Sequence, residues 1–104
     1  MYVADSEGDY ETVAASQTDQ ILGATGAKDD WLARLICVVT TAATAQVQIK
    51  DGNGSAITVL PNSPGGGIGT YVIEVGAKAV NATTPGWKVT TGAGVAVLGV
   101  GSFT

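Results

Sequence analysis

Apolar residues in this chain recur with period two in short runs, and the runs are bounded by Gly, Pro, Asn and Asp. Period two sends successive side chains to opposite faces of a strand. Thr44–Lys50 is the plainest case: Ala45, Val47 and Ile49 face one way, and Gln46, Gln48 and Lys50 the other. Asp51-Gly52-Asn53-Gly54 follows, and its Asp-Gly and Asn-Gly steps supply the φ > 0 positions of a tight hairpin. Ser55–Leu60 then returns, with Ile57 and Val59 on one face. Thr70–Gly76 sets Tyr71, Ile73 and Val75 against Val72 and Glu74. Trp31–Thr40 is the longest run, and both of its faces are apolar, which predicts a central strand. Arg34 breaks that pattern and marks an interface or a sheet rim.

Thr12–Ala15, Gln20–Leu22 and Ala77–Asn81 read as short strands. Trp87–Thr91 and Val95–Phe103 read as a final hairpin around Thr91-Gly92-Ala93-Gly94. Gly23–Asp30 and Pro61–Gly69 read as loops. No useful stretch has a helical period; Ser16–Gln20 is the one place with room for a helical turn, and none is expected there. About eight short strands fit two four-stranded sheets packed face to face. The fold class predicted is all-β: a compact antiparallel β-sandwich, jelly-roll-like, with an extended N-terminal arm.

A chain of 104 residues makes one domain. The sandwich is assigned to residues 12–104 and the arm to residues 1–11. Charge sharpens that division. The net charge is −4, and Asp5, Glu7, Asp9 and Glu11 carry all of it, because the other five acids match the five bases. In an extended arm these four carboxylates share one side. This predicts an arm that lies across a basic surface of a neighbouring subunit, with Tyr2, Val3 and Tyr10 as apolar anchors and Arg34 as a further interface residue. The competing reading is a solvated tail. Residues 12–104 are neutral and hold no basic patch, which argues against nucleic acid as a partner. Only 13% of residues are charged, about half the ~25% of ordinary soluble proteins. Neutral surface of that extent is often covered by partners. No apolar run approaches the ~20 residues of a membrane span, and the acidic N-terminus lacks the form of a secretion signal.

The inventory of reactive groups is short. Without histidine, Ser-His-Asp and Cys-His catalysis are unavailable. One cysteine and no histidine make no zinc site. Cys37, inside Leu35-Ile36-Cys37-Val38-Val39, reads as a buried thiol, and a lone cysteine points to a reducing compartment. Asp29-Asp30 reads as loop solvation. Asp51-Gly-Asn-Gly-Ser55 resembles the start of a calcium loop, but Ala56 and Asn62 stand where that loop needs Gly and Glu. Gly65-Gly-Gly-Ile-Gly69 has no Gly-Lys-Ser/Thr after it and is no phosphate loop. Asn53-Gly-Ser55 and Asn81-Ala-Thr83 match the glycosylation sequon, which carries little weight without a secretion signal. Trp31 and Trp87 read as core or rim residues rather than ligand platforms. The chain is therefore read as a non-enzyme with no cofactor and no metal.

Two segments, Gln48–Val59 and Gly86–Phe103, resemble the small β-sandwich virion proteins of tailed bacteriophages, which include head decoration (cement) proteins and head-fibre bases. The likeness covers roughly residues 20–104 and lies in turns and strands, not in a catalytic signature. It implies a structural protein on the outer capsid surface of the virion, commonly a homotrimer. Such a protein is made in the bacterial host cytoplasm and bridges major capsid proteins to stabilise the head. The arm lies outside that likeness. Alternatives are a receptor- or carbohydrate-binding module of a phage fibre, which would use Trp31 or Trp87, and a capsid or tail building block.

Overall fold

The computed structural model describes residues 9–104. Its strands are β1 (Asp9–Val13), β2 (Gln20–Ile21), β3 (Trp31–Val39), β4 (Val47–Asp51), β5 (Ile57–Leu60), β6 (Gly69–Lys78), β7 (Trp87–Thr91) and β8 (Val95–Ser102). They form two antiparallel sheets in the orders β1-β8-β3-β6 and β2-β7-β4-β5. Each strand pairs with the one whose number completes nine: β1 with β8, β2 with β7, β3 with β6 and β4 with β5. The chain is thus one antiparallel ribbon, doubled at the β4–β5 turn. The ribbon is rolled so that successive rungs enter alternate sheets, and the β3–β8 and β4–β7 pairings seal the roll. This is the jelly roll anticipated from the strand count.

The core lies between the sheets. Leu35, Cys37 and Val39 of β3 and Val95 and Val97 of β8 meet Val47 and Ile49 of β4 and Val89 of β7, all buried. Leu22 and Leu32 are fully buried beside them. Gly99 on the inner face of β8 leaves room for Leu22, whose Cδ1 stands 3.3 Å from where a Cβ would sit. Cys37 is buried as its apolar setting predicted.

Several details depart from the sequence reading, each for a local reason. Residues 9–11 of the acidic stretch are sheet residues, because β1 begins at Asp9 and pairs with Gly101–Val97 of β8. β7 and β8 are no hairpin: they belong to different sheets, and Gly92-Ala93-Gly94 arches between them. That arch lies on the segment preceding β4, with Gly92 N donating to Gln46 O (2.8 Å) and Gly94 N to Thr44 O (2.9 Å). The segment before β4 holds a 3-10 turn at Ala42–Thr44, so β4 starts only at Val47. The register of β5 slips by one residue between Gln48 and Val47, so Leu60 rather than Val59 stands opposite Val47 and is buried, while Ile57, opposite Ile49, is exposed. Ala77 and Lys78 add no separate strand but extend β6 past Gly76, whose φ of +60° is a conformation that glycine tolerates. Asp30 is no solvating loop residue. It is buried, and its carboxylate accepts from Ala27 N (3.0 Å), Thr104 N (3.1 Å) and Thr104 Oγ1 (2.8 Å).

Candidate functional site: an apolar sheet face

The two outward faces of the sandwich differ in chemistry. On the β2-β7-β4-β5 sheet, the outward positions of β4 and β7 are Gln48, Lys50, Lys88 and Thr90. They are polar and partnered within the chain. Lys50 Nζ binds Asp19 Oδ2 (3.1 Å), Thr90 Oγ1 donates to Asp19 Oδ1 (3.2 Å), and Gln48 Nε2 donates to Thr58 Oγ1 (3.1 Å). This is the normal solvated side of an antiparallel sheet.

The outward face of β1-β8-β3-β6 is apolar. The strand registers arrange it in rows. One row reads Tyr10, Val100, Arg34, Glu74; the next reads Thr12, Leu98, Ile36, Val72; a third reads Ala96, Val38, Thr70, with Ala14 beyond the end of β1. Tyr10 is 69% exposed, Val72 58% and Val38 46%. Leu98, Ile36 and Val100 beside them are half-buried. Sandwiches without a covering helix have only one buried face per strand, so an apolar run that fills both faces presents one to solvent. A contiguous apolar patch of this kind marks an interaction surface.

The face is not flat. Ala14 and Ala96 are small, and between them and Thr12, Leu98, Ile36 and Val38 lies an open apolar hollow of about 360 Å³. Tyr10 projects at the other end of β1, opposite Val100. The charges in the described rows are Arg34 and Glu74, which meet across β3 and β6 at 3.3 Å (Nε to Oε2). These two charges cancel within the three rows; the row beyond them, Ser102, Trp31 and Lys78, adds one cation at that edge of the sheet.

The structure thus brings Tyr10 and Arg34 into one row on either side of Val100. Asp9 and Glu11 share one side of β1, as period two predicted, but that side is the inner one. Asp9 Oδ2 accepts from Phe103 N (3.0 Å); Glu11 accepts from Gly23 N (3.0 Å) and Gln20 Nε2 (3.0 Å). These two carboxylates tie β1 to the rest of the sandwich. Inward acids on an edge strand also discourage pairing with stray strands. Tyr2, Val3, Asp5 and Glu7 lie outside the described residues. Trp87 is buried and presents no open ring face, and Trp31 is half-buried in the row it shares with Ser102 and Lys78.

Sequence reasoning left Ile36, Val38 and Leu98 in apolar runs with no outward face assigned, but it set Val72 on the side of Glu74, where the structure has it. The signal for the face was present in the doubly apolar runs 35–39 and 95–100. Among the described residues, no group of three His, Cys, Asp or Glu is placed to hold a metal ion. Among the same residues, no helix is long and apolar enough to cross a membrane. No family model, curated protein or solved structure matches the chain.

Proposed function

We propose that this chain is a structural subunit of a protein shell: a decoration (cement) protein that sits on the outer capsid surface of a tailed-bacteriophage head and stabilises it. The observation that carries the reading is the exposed apolar face of the β1-β8-β3-β6 sheet, set against an opposite sheet whose β4 and β7 present polar residues outward. A surface of that kind works by contact rather than by chemistry. The jelly roll, an architecture frequent among capsid proteins, and the likeness of the Gln48–Val59 and Gly86–Phe103 segments to phage virion proteins supply the shell. In this reading the sandwich makes contacts between copies, and the acidic N-terminal segment docks on the major capsid protein, where opposite charge steers and orients the approach. Repetition over the lattice turns weak contacts into firm attachment.

The test is to add the purified chain to heads that lack it and to measure lattice occupancy and the temperature at which the heads rupture. Saturable occupancy with a raised rupture temperature is expected; absence of occupancy overturns the reading. A deletion that stops at Gly8 removes the first eight residues and leaves every described residue of β1 in place. That variant is expected to lose occupancy at physiological salt, and unchanged occupancy would remove the segment's assigned role.

A further inference from the structure

The apolar face carries both a projection and a hollow, and their positions define a symmetry. Tyr10 stands one row to one side of Thr12, and the Ala14–Ala96 hollow one row to the other. We infer that this face binds a second copy of the same chain, in a pair whose two-fold axis lies along the row Thr12–Leu98–Ile36–Val72. It deepens the reading of the sheet as a contact between copies.

A two-fold axis in the plane of contact, perpendicular to the strands, exchanges the two outer rows and leaves the middle row facing itself. Tyr10 of each copy is then carried over the partner's hollow, about 13 Å along the strand from its own position. Leu98, Ile36 and Val72 meet their own equivalents. Arg34 comes opposite Val38 of the other copy, and Glu74 comes opposite Thr70, so no like charges face each other and the ion pair stays at the rim. An axis parallel to the strands would instead oppose β1 to β6, set Tyr10 against Glu74 and leave both hollows empty. Isologous contact of this sort is self-complementary by construction, and two sheets in face-to-face contact pack well within about 30° of alignment.

Area bounds the kind of contact. Four strands about 4.8 Å apart and three to four rows about 6.7 Å apart span roughly 400–500 Å² per copy. The pair therefore buries about 800–1,000 Å² in total, in the size range of weak, transient interfaces. A contact of that size fits a reversible dimer rather than a permanent one. The two copies carry a net charge of −4 each, while the three rows in contact hold the Arg34–Glu74 pair as their charges. Salt screens their mutual repulsion, so added salt strengthens the dimer. Docking of an acidic segment on a basic shell responds to salt in the opposite sense.

Sedimentation velocity of the full chain from about 1 to 100 µM, in low and high salt, reads this directly. A monomer–dimer equilibrium that tightens with salt is expected. Tyr10→Ala is expected to weaken it at least tenfold, and Ala96→Lys to leave only monomer. The axis is read by disulfide trapping in a Cys37→Ala background. Leu98→Cys is expected to cross-link with itself, and Tyr10→Cys with Ala14→Cys in a mixture, but neither of these two with itself. A monomer throughout, a trimer, or self-cross-linking of Tyr10→Cys overturns the inference. Head occupancy tests the shell assignment separately, so either can fail alone. A circular dichroism melt of each cysteine variant verifies that it is folded before trapping.

Discussion

Asp30 and Thr104 are joined across 74 positions of chain by two hydrogen bonds, from Thr104 N to Oδ2 (3.1 Å) and from Thr104 Oγ1 to Oδ1 (2.8 Å). The same carboxylate accepts from Ala27 N (3.0 Å), so one buried side chain fastens the β2–β3 loop to the second residue after β8. Removing it strands buried donors, which costs more than the bonds themselves contribute. Asp30→Ala is expected to lower stability by about 2–3 kcal/mol, and Thr104→Ala, which deletes only the hydroxyl bond, by about 1 kcal/mol. Urea unfolding checks both. A double variant whose loss falls short of the sum confirms that the two residues act as one latch.

The arch between β7 and β8 makes a second demand. A Cβ at Gly94 would collide with the carbonyl oxygen of Thr41 and stand 2.8 Å from Thr44 Oγ1, and neither neighbour is free to yield. Both belong to the segment that this arch hydrogen-bonds. Gly94→Ala is expected to cost at least about 2 kcal/mol and to lower Tm by roughly 10 °C. Gly65, with nothing within 4 Å of its would-be Cβ, is the control. Gly65→Ala is expected to leave Tm unchanged or slightly raised. Thermal melts of the two variants decide it.

Burial pushes the Cys37 thiol up from 9.0 to about 11. In the unfolded chain the thiol ionises near its ordinary value, while the folded chain keeps it protonated. Folded protein therefore binds the extra proton between about pH 9 and 11, and the stability tied to this group is lost as pH rises through that window. The loss is of order 2 kcal/mol. Cys37→Ala is expected to show a shallower alkaline decline than the parent in urea unfolding at pH 8 to 11. At neutral pH, a thiol reagent is expected to modify Cys37 only at the rate of global opening, so its rate should rise steeply with urea.

The Lys50 hydrogen bond, with further help from Thr90 and the Lys50 and Lys88 charges, holds the Asp19 carboxyl below its usual 3.8 against an opposing desolvation effect. A lowered folded value means stability present above pH 3.8 and lost as pH falls below it. Asp19 is 41% exposed, so solvent screens the pair and its contribution stays under about 1 kcal/mol. Asp19→Asn is expected to cost no more than that at pH 7 in low salt, and the cost should vanish at pH 2 and shrink in 1 M salt. Guanidinium is unsuitable for this comparison because it screens the pair itself; urea titrations serve.

The fold was legible because its information is local. Alternation over residues 44–50, the Asp-Gly-Asn-Gly turn and the doubly apolar run at Trp31–Val39 each name an element without reference to partners. What was hidden depends on pairing. Thr91-Gly92-Ala93-Gly94 has the composition of a hairpin turn, and only the approach of Thr41 and Thr44 reveals that its glycines make room for another segment. Asp9 and Glu11 look like solvated charges until Gly23, Gln20 and Phe103 are placed beside them. The candidate face was half legible: Arg34 and Tyr10 were singled out, but Ile36, Val38 and Leu98 look like core until the other sheet is known to cover only their opposite side.

The nested pairing of the strands also orders events in time. The β4–β5 hairpin closes across a short turn, whereas the bond from Phe103 N to Asp9 spans 94 positions. Loop-closure entropy favours the short link first, and every rung that forms shortens the next gap, so the ribbon is expected to zip outward from residues 51–57. Topologies so rich in distant pairs fold in milliseconds to seconds. On the ribosome, β1 is made before the other described strands and finds its partner last, since β8 follows all of them along the chain. For that whole interval the edge of β1 depends on Asp9 and Glu11 to keep it from pairing with a neighbouring nascent chain.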